Sequence, residues 1–101
     1  QLDEAEKALQ RSYQADPTNP STSVNLAEVL LRRGEAERAR FHIRRVNANQ
    51  SYISAQTLWL AVRIEHKLAN RTGVQDLGNQ LLTRYRESRE AIAFERVQFD
   101  E

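Results

Sequence analysis

A step of 34 residues runs through this chain: it carries Ala5 onto Ala39, Leu9 onto Ile43, Asp3 onto Glu37 and Ser12 onto Val46. The same step carries Leu26 onto Leu60, Ala27 onto Ala61 and Leu30 onto Ile64. Self-similarity at such a period marks a stack of like units, each too small to bury its apolar face alone. The matched positions recur at three-, four- and seven-residue intervals, the apolar stripe of an amphipathic helix. Two kinds of helix alternate. The first reads Leu26, Ala27, Leu30, Leu31 and later Thr57, Leu60, Ala61, Ile64, Leu68; the second reads Ala36, Ala39, Ile43, Val46 and later Val74, Leu77, Leu81, Tyr85. The sequence therefore predicts one all-α domain of stacked antiparallel helix hairpins.

The punctuation agrees with that period. Pro17 and Pro20, within Asp16-Pro17-Thr18-Asn19-Pro20, end one helix and start the next, because proline cannot donate within a helix and biases its predecessor towards extended backbone. Gly34 makes a hairpin turn, and residues 47–54 form a second polar break in which Ser51 or Ser54 is available as a cap. Residues 1–19 read as the second helix of a truncated repeat, 20–51 as a complete repeat, 52–87 as a divergent one and 88–101 as a terminal capping helix. Ser88 is the expected cap of that last helix, and Ala91, Ile92, Phe94 and Phe99 are its apolar positions. In the divergent repeat the second helix falls 35 residues on, which places one extra residue in the turn near Ala69 and Asn70, and Gly78 stands where a larger apolar residue is expected. A chain that opens at Gln1 inside a repeat reads as a piece of something longer. Its unpaired first helix is expected to expose Ala5, Leu9 and Tyr13 as an apolar strip and to drive self-association.

Composition excludes several classes of function. Among 101 residues, 15 are basic and 14 acidic, and none is cysteine. That rules out disulfides, thiolate zinc sites and a catalytic thiol. No apolar run reaches the roughly 18 residues of a membrane span. No phosphate-binding glycine loop, metalloprotease, nucleophile-elbow or calcium-loop pattern occurs, and His42 and His66 lack companions at ligand spacing. Glutamates such as Glu35 and Glu37 or Glu90 and Glu95 read as solvated helix faces. The chain is thus expected to be non-enzymatic, with no cofactor and no metal. The run Arg32-Arg33, Arg38, Arg40, Arg44-Arg45, interleaved with Phe41, admits a nucleic-acid reading, but Glu35 and Glu37 dilute it and the near-neutral balance favours an arginine-rich polar helix face without a nucleic-acid partner.

The repeat resembles the tetratricopeptide repeat, a 34-residue helix-turn-helix that winds into a right-handed solenoid. Asn25-Leu26-Ala27 supplies its Leu-Gly step with Ala for Gly, Leu30 takes the aromatic place, and Ala39 and Ile43 follow at the family spacing. The resemblance implies a protein-binding scaffold whose first helices line a concave groove. On that groove it places Val24, Glu28, Leu31 and Arg32 from one hairpin, and Leu58, Val62 and His66 from the next, an apolar strip with basic edges. Trp59 points either onto the adjacent hairpin or into the groove, where its truncation would weaken binding and leave the helices intact. Asn25 matches the repeats that clamp chaperone carboxylate tails, but the two basic places of that clamp fall on Ala55 and Trp59, or on Gln56 and Leu60, so no carboxylate fork exists.

The C-terminal half narrows the resemblance. Ala55-Gln56-Thr57-Leu58-Trp59-Leu60-Ala61-Val62-Arg63-Ile64-Glu65-His66-Lys67-Leu68-Ala69-Asn70-Arg71, followed by Leu81-Leu82-Thr83-Arg84-Tyr85 and Ser88, looks like the last repeat of the type IV pilus biogenesis and stability proteins, the PilF/PilW pilotins. Ala61 and Ala69 replace Gly of the family pattern, and Tyr85-Arg86-Glu87-Ser88 replaces its closing Phe-Pro-x-Ser. The resemblance implies a pilus assembly factor on the periplasmic face of the bacterial outer membrane, held there only by an N-terminal lipid anchor outside this piece. Its partner would be an outer-membrane secretin subunit, whose localisation and multimerisation it aids. The other reading is a repeat segment accessory to an enzyme whose catalytic domain lies elsewhere.

Overall fold

The structure is a computed structural model that describes residues 1–97. They form six α-helices: α1 (Leu2–Ala15), α2 (Pro20–Arg32), α3 (Ala36–Asn47), α4 (Ala55–Lys67), α5 (Arg71–Arg84) and α6 (Arg89–Glu95), with one 3-10 turn, Gln50–Tyr52, before α4. Each helix packs on its successor from α1 to α5, and α6 lies against both α4 and α5. This is the stack of hairpins the repeat predicts. Phe99, expected in the capping helix, lies outside the described residues.

Side chains set most helix starts. Asn19 accepts from the Ser21 and Thr22 amides at 2.9 and 3.4 Å, with Pro20 at the first helical position of α2. Ser54 and Thr57 form a reciprocal capping box at α4: the Thr57 amide donates to Ser54 Oγ at 3.1 Å and the Ser54 amide to Thr57 Oγ1 at 2.9 Å. Asn70 caps α5 through the Gly73 amide, and Ser88 caps α6 through the Ala91 amide at 3.0 Å.

The two full hairpins are related by 35 residues throughout, which corrects the expected extra residue in the turn at Ala69 and Asn70. Helix starts Pro20 and Ala55, and starts Ala36 and Arg71, are each 35 apart. Both turns hold three residues and close in the same way: the Gly34 and Glu35 amides donate to the Leu31 and Leu30 carbonyls, as the Ala69 and Asn70 amides do to His66 and Glu65. Gly34 and Ala69 are the left-handed residues, at φ 80° and 57°. The extra residue therefore lies before α4, in the break containing the 3-10 turn. Leu30 is matched by Glu65, not by Ile64, and Ile43 is matched by Gly78.

Two apolar cores follow. The first joins Leu26, Leu30, Ala39 and Ile43 to Leu60 and Ile64. The second gathers Leu58, Trp59, Val62, Val74, Leu81 and Ala91, with Tyr85 and Phe94 packed against it. Helix α4 serves both, one flank against α3 and the other against α5 and α6, so its run of residues 58–64 is apolar on both flanks apart from Arg63. Gly78 has its reason in the second core, because a Cβ there would overlap the ring of Phe94. The capping helix fills the space that Ile43 fills in the preceding hairpin.

Helix α1 departs from expectation. Leu9 and Tyr13 are half-buried against the first core, and Ala5 is half-buried too, so these residues do not form an open apolar strip. The outward positions are Glu4, Lys7, Arg11 and Gln14. Glu6 reaches Arg33 and Arg38, at 3.2 and 3.0 Å, which ties α1 to both α3 and the α2–α3 turn.

Candidate functional site

The 35-residue register re-sorts the expected groove. One residue along a helix is a turn of about 100°, so a slip of one exchanges a groove position for a core position. Leu58 and Val62 are fully buried in the second core, Trp59 is nearly so, and Leu31 belongs to the first core. The expected strip of Leu58 and Val62 is therefore corrected: these side chains lie beneath α5 and α6. Trp59 packs within the second core, among residues of α4, α5 and α6, rather than onto the preceding hairpin, and its truncation would open that core. Val24 is half-buried against the first core, Arg32 and His66 are exposed, and Glu28 is half-buried. The register mates of Val24, Glu28, Leu31 and Arg32 are Trp59, Arg63, His66 and Lys67.

Across this face the two hairpins are bridged by charge. Arg63 donates to both carboxylate oxygens of Glu28, at 3.4 and 3.3 Å, and Arg32 approaches the same carboxylate at 3.4 Å. The face is thus a salt-bridged seam with Val24 beside it and Arg32, His66 and Lys67 along its edge. His66 also borders a hollow of about 740 Å³ shared with Asn70, Arg71, Val74 and Phe94, between the α4–α5 turn and α6.

A buried carboxylate escaped the sequence reading. Glu65 is almost fully buried, at the position of Leu30 in the preceding hairpin. Arg40 of α3 grips it with both arms, Nε to Oε2 at 2.9 Å and Nη2 to Oε1 at 2.5 Å, while Asn70 Nδ2 donates to Oε1 at 2.9 Å. Arg44 stands 3.7 Å away. Burial alone would raise this carboxyl; the hydrogen bonds of Arg40 and Asn70 and the charges of Arg40 and Arg44 outweigh it and hold the group below the usual carboxylate range. Gly73 allows the close approach, since a Cβ there would meet Asn70 Nδ2 at 2.8 Å and Glu65 Cγ at 3.1 Å. A Glu near a helix end reads as solvated; the signal that locates it is the 35-residue step from Leu30, paired with the matching turns at Gly34 and Ala69.

His42 is buried at the α1–α3 contact, edge-on to Tyr13 at 5.0 Å and to Phe41 at 5.1 Å, and its Nδ1 has no hydrogen-bond partner among the described residues. Burial, with the charges of Arg38 and Arg45, pushes its pKa down. The folded state therefore takes this proton at lower pH than the unfolded chain, and stability falls as pH drops below the ordinary imidazole value of about 6.5. Thermal unfolding is expected to shift down by a few degrees between about pH 7.5 and 5.5. His42→Phe should flatten that profile, and an equally steep profile in the variant would sink the assignment.

Among the described residues, no three His, Cys, Asp or Glu side chains gather as a metal site, and no helix is long and apolar enough to cross a membrane. The family model described as the tetratricopeptide repeat matches residues 1–55, more than half of the chain. Neither the curated proteins nor the solved structures give a match.

Proposed function

This chain belongs to the tetratricopeptide repeat family, and on that premise we propose that it is a non-enzymatic scaffold that binds a protein segment along the seam between α2 and α4. The observation that carries this is the register itself: it aligns Val24, Arg32, His66 and Lys67 beside the Glu28–Arg63 bridge on first helices of successive hairpins. Such a face offers one half-buried apolar contact edged by cations, suited to an extended or helical peptide with acidic groups.

The finer reading is a type IV pilus assembly factor, a pilotin at the periplasmic face of the outer membrane, whose partner is a secretin subunit. Residues 55–88 support it through their resemblance to that family. Ala69 holds the left-handed backbone that suits the Gly of the family's turn. Tyr85 donates to the Ile53 carbonyl and Ser88 caps α6, roles fitting the aromatic and the serine of the closing motif.

The test is titration of purified secretin subunit onto the wild-type protein and an Arg32→Glu/Lys67→Glu variant. The variant should bind about tenfold or more weakly, roughly 1.4 kcal/mol, with unchanged helical content. Equal affinity would refute the seam as the binding face. Wild-type protein that ignores secretin and instead captures an enzyme complex would favour the accessory-segment reading.

A further inference from the structure

The six arginines of residues 32–45 are not equivalent in the fold. Arg32 shares Glu28 with Arg63 and stays 65% exposed on the α2–α4 seam, whereas Arg33 is spent on Asp3, Glu6 and Glu35, Arg38 on Glu6 and Glu35, and Arg40 on Glu65 and Glu37. Arg44 is 64% exposed and only skirts Glu65, whose oxygens Arg40 and Asn70 already occupy. Arg45 is exposed and its contacts are aromatic: it donates to the Tyr13 hydroxyl, and its guanidinium lies 5.8 Å from the Tyr13 centroid and 5.7 Å from that of Phe41. Two solvent-exposed cations thus flank Phe41, which is 56% exposed.

We propose that this outward face of α3 is a second protein-docking surface, one that takes a short acidic segment carrying an apolar or aromatic side chain. Phe41 lies about 200° around α3 from the core residue Ile43, so the patch faces away from the hairpin interior. Its ring is held between Arg45 and the edge of His42, so ordering it on binding costs little. The surface hollow here, about 480 Å³, is lined by Glu37, Arg40, Phe41, Arg44, Arg45 and Ala48. Ala48, one helical turn beyond Arg44, leaves room beside the ring for a second apolar group. Arg44 and Arg45 diverge to either side of Phe41 and each presents a planar fork that matches a carboxylate.

Charge complementarity selects the occupant. A nucleic acid needs a track of uncompensated cations along its phosphates, and Arg33, Arg38 and Arg40, in the middle of this run, are neutralised by carboxylates of this chain. An anionic lipid surface draws on clusters of about four to eight basic residues, and Glu37, 77% exposed, sits on the same face. Two cations around one aromatic ring fit a segment with two carboxylates around one apolar residue. This surface does not rest on the α2–α4 seam and stands or falls separately from it.

The test is selection of a random peptide display library on the wild-type protein, on Phe41→Ala and on Arg44→Glu/Arg45→Glu, with unfolding curves for each. Wild-type protein should enrich peptides with acidic residues flanking an apolar one. Phe41→Ala, whose side chain is largely solvent-facing, should weaken them about tenfold or more, and the double charge reversal should switch the enrichment to basic peptides. The Arg32→Glu/Lys67→Glu protein should bind the selected peptides unchanged. Enrichment without acidic bias, or peptides indifferent to Phe41→Ala, would overturn the proposal. So would phosphatidylglycerol vesicles or a short oligothymidine binding this face more tightly than any selected peptide.

Discussion

Replacing Glu65 with alanine is expected to destabilise the protein by about 2–3 kcal/mol. Breaking a fully buried ion pair costs roughly 3–5 kcal/mol because the surviving charge is left without a partner; Arg40 keeps 21% of its side chain exposed, which moderates the loss. For a chain of this size that is a fall of about 10–20 °C in Tm. The converse experiment separates charge from packing. Leu30 occupies the equivalent place one hairpin earlier, so Glu65→Leu combined with Arg40→Met should recover most of the loss, as apolar replacement of a buried pair is often neutral or stabilising. Urea or thermal unfolding reads both. A Glu65→Ala protein within about 0.5 kcal/mol of wild type would show that the clamp contributes nothing. Because folding lowers the pKa of this carboxyl, its contribution is fully present above about pH 4.5 and is lost as pH falls through the folded-state value.

Gly78→Ile should be comparably damaging, by about 1–3 kcal/mol, since it forces side-chain atoms into the space of the Phe94 ring. Phe94→Ala should cost about 2 kcal/mol, below the 3–5 of a fully buried phenylalanine because Phe94 is half-buried. Combined, the two should be far better than their sum, since isoleucine at 78 then stands where Ile43 stands in the preceding hairpin. A double-mutant cycle by denaturant unfolding measures that coupling. Strict additivity would mean that Phe94 and Gly78 do not share the site, and that α6 is attached by other contacts.

Much of this architecture could be read from the chain because its signals are local. Apolar periodicity placed both hairpins, Pro17 and Pro20 marked a helix boundary, and Ser88 proved to be the cap of α6. Register was harder, for a physical reason. Helix α4 buries Leu58, Trp59, Leu60, Ala61, Val62 and Ile64, and a helix apolar on both flanks has no stripe to fix its rotation. Leu60-Ala61 imitates Leu26-Ala27 at 34 residues, while the backbone turns at Gly34 and Ala69 keep 35. That single residue moved Leu58 and Val62 into the core and brought Arg63 onto the face opposite Glu28. Glu65 and the fate of the arginines were illegible for a second reason: a charged side chain on an amphipathic helix declares its polarity, and only the fold supplies the counter-charge that buries it.

The clamp on Glu65 also bears on how the molecule comes apart. In a linear array of repeats each unit touches only its neighbours, and an array can fray from one end when an interface between units is weak. Here one carboxylate is held by Arg40 from the preceding hairpin and by Asn70, which simultaneously caps α5. Helix α5 carries two glycines at Gly73 and Gly78 and has little intrinsic tendency to persist alone. Its first turn is fastened to the unit before it through a single shared anion. That anion adds to the apolar contacts of Leu60, Ala61, Ile64 and Leu77 with the preceding hairpin, so the amides of α3 to α5 are expected to exchange as one cooperative block in the wild-type protein and α5 to exchange ahead of α3 in Glu65→Ala.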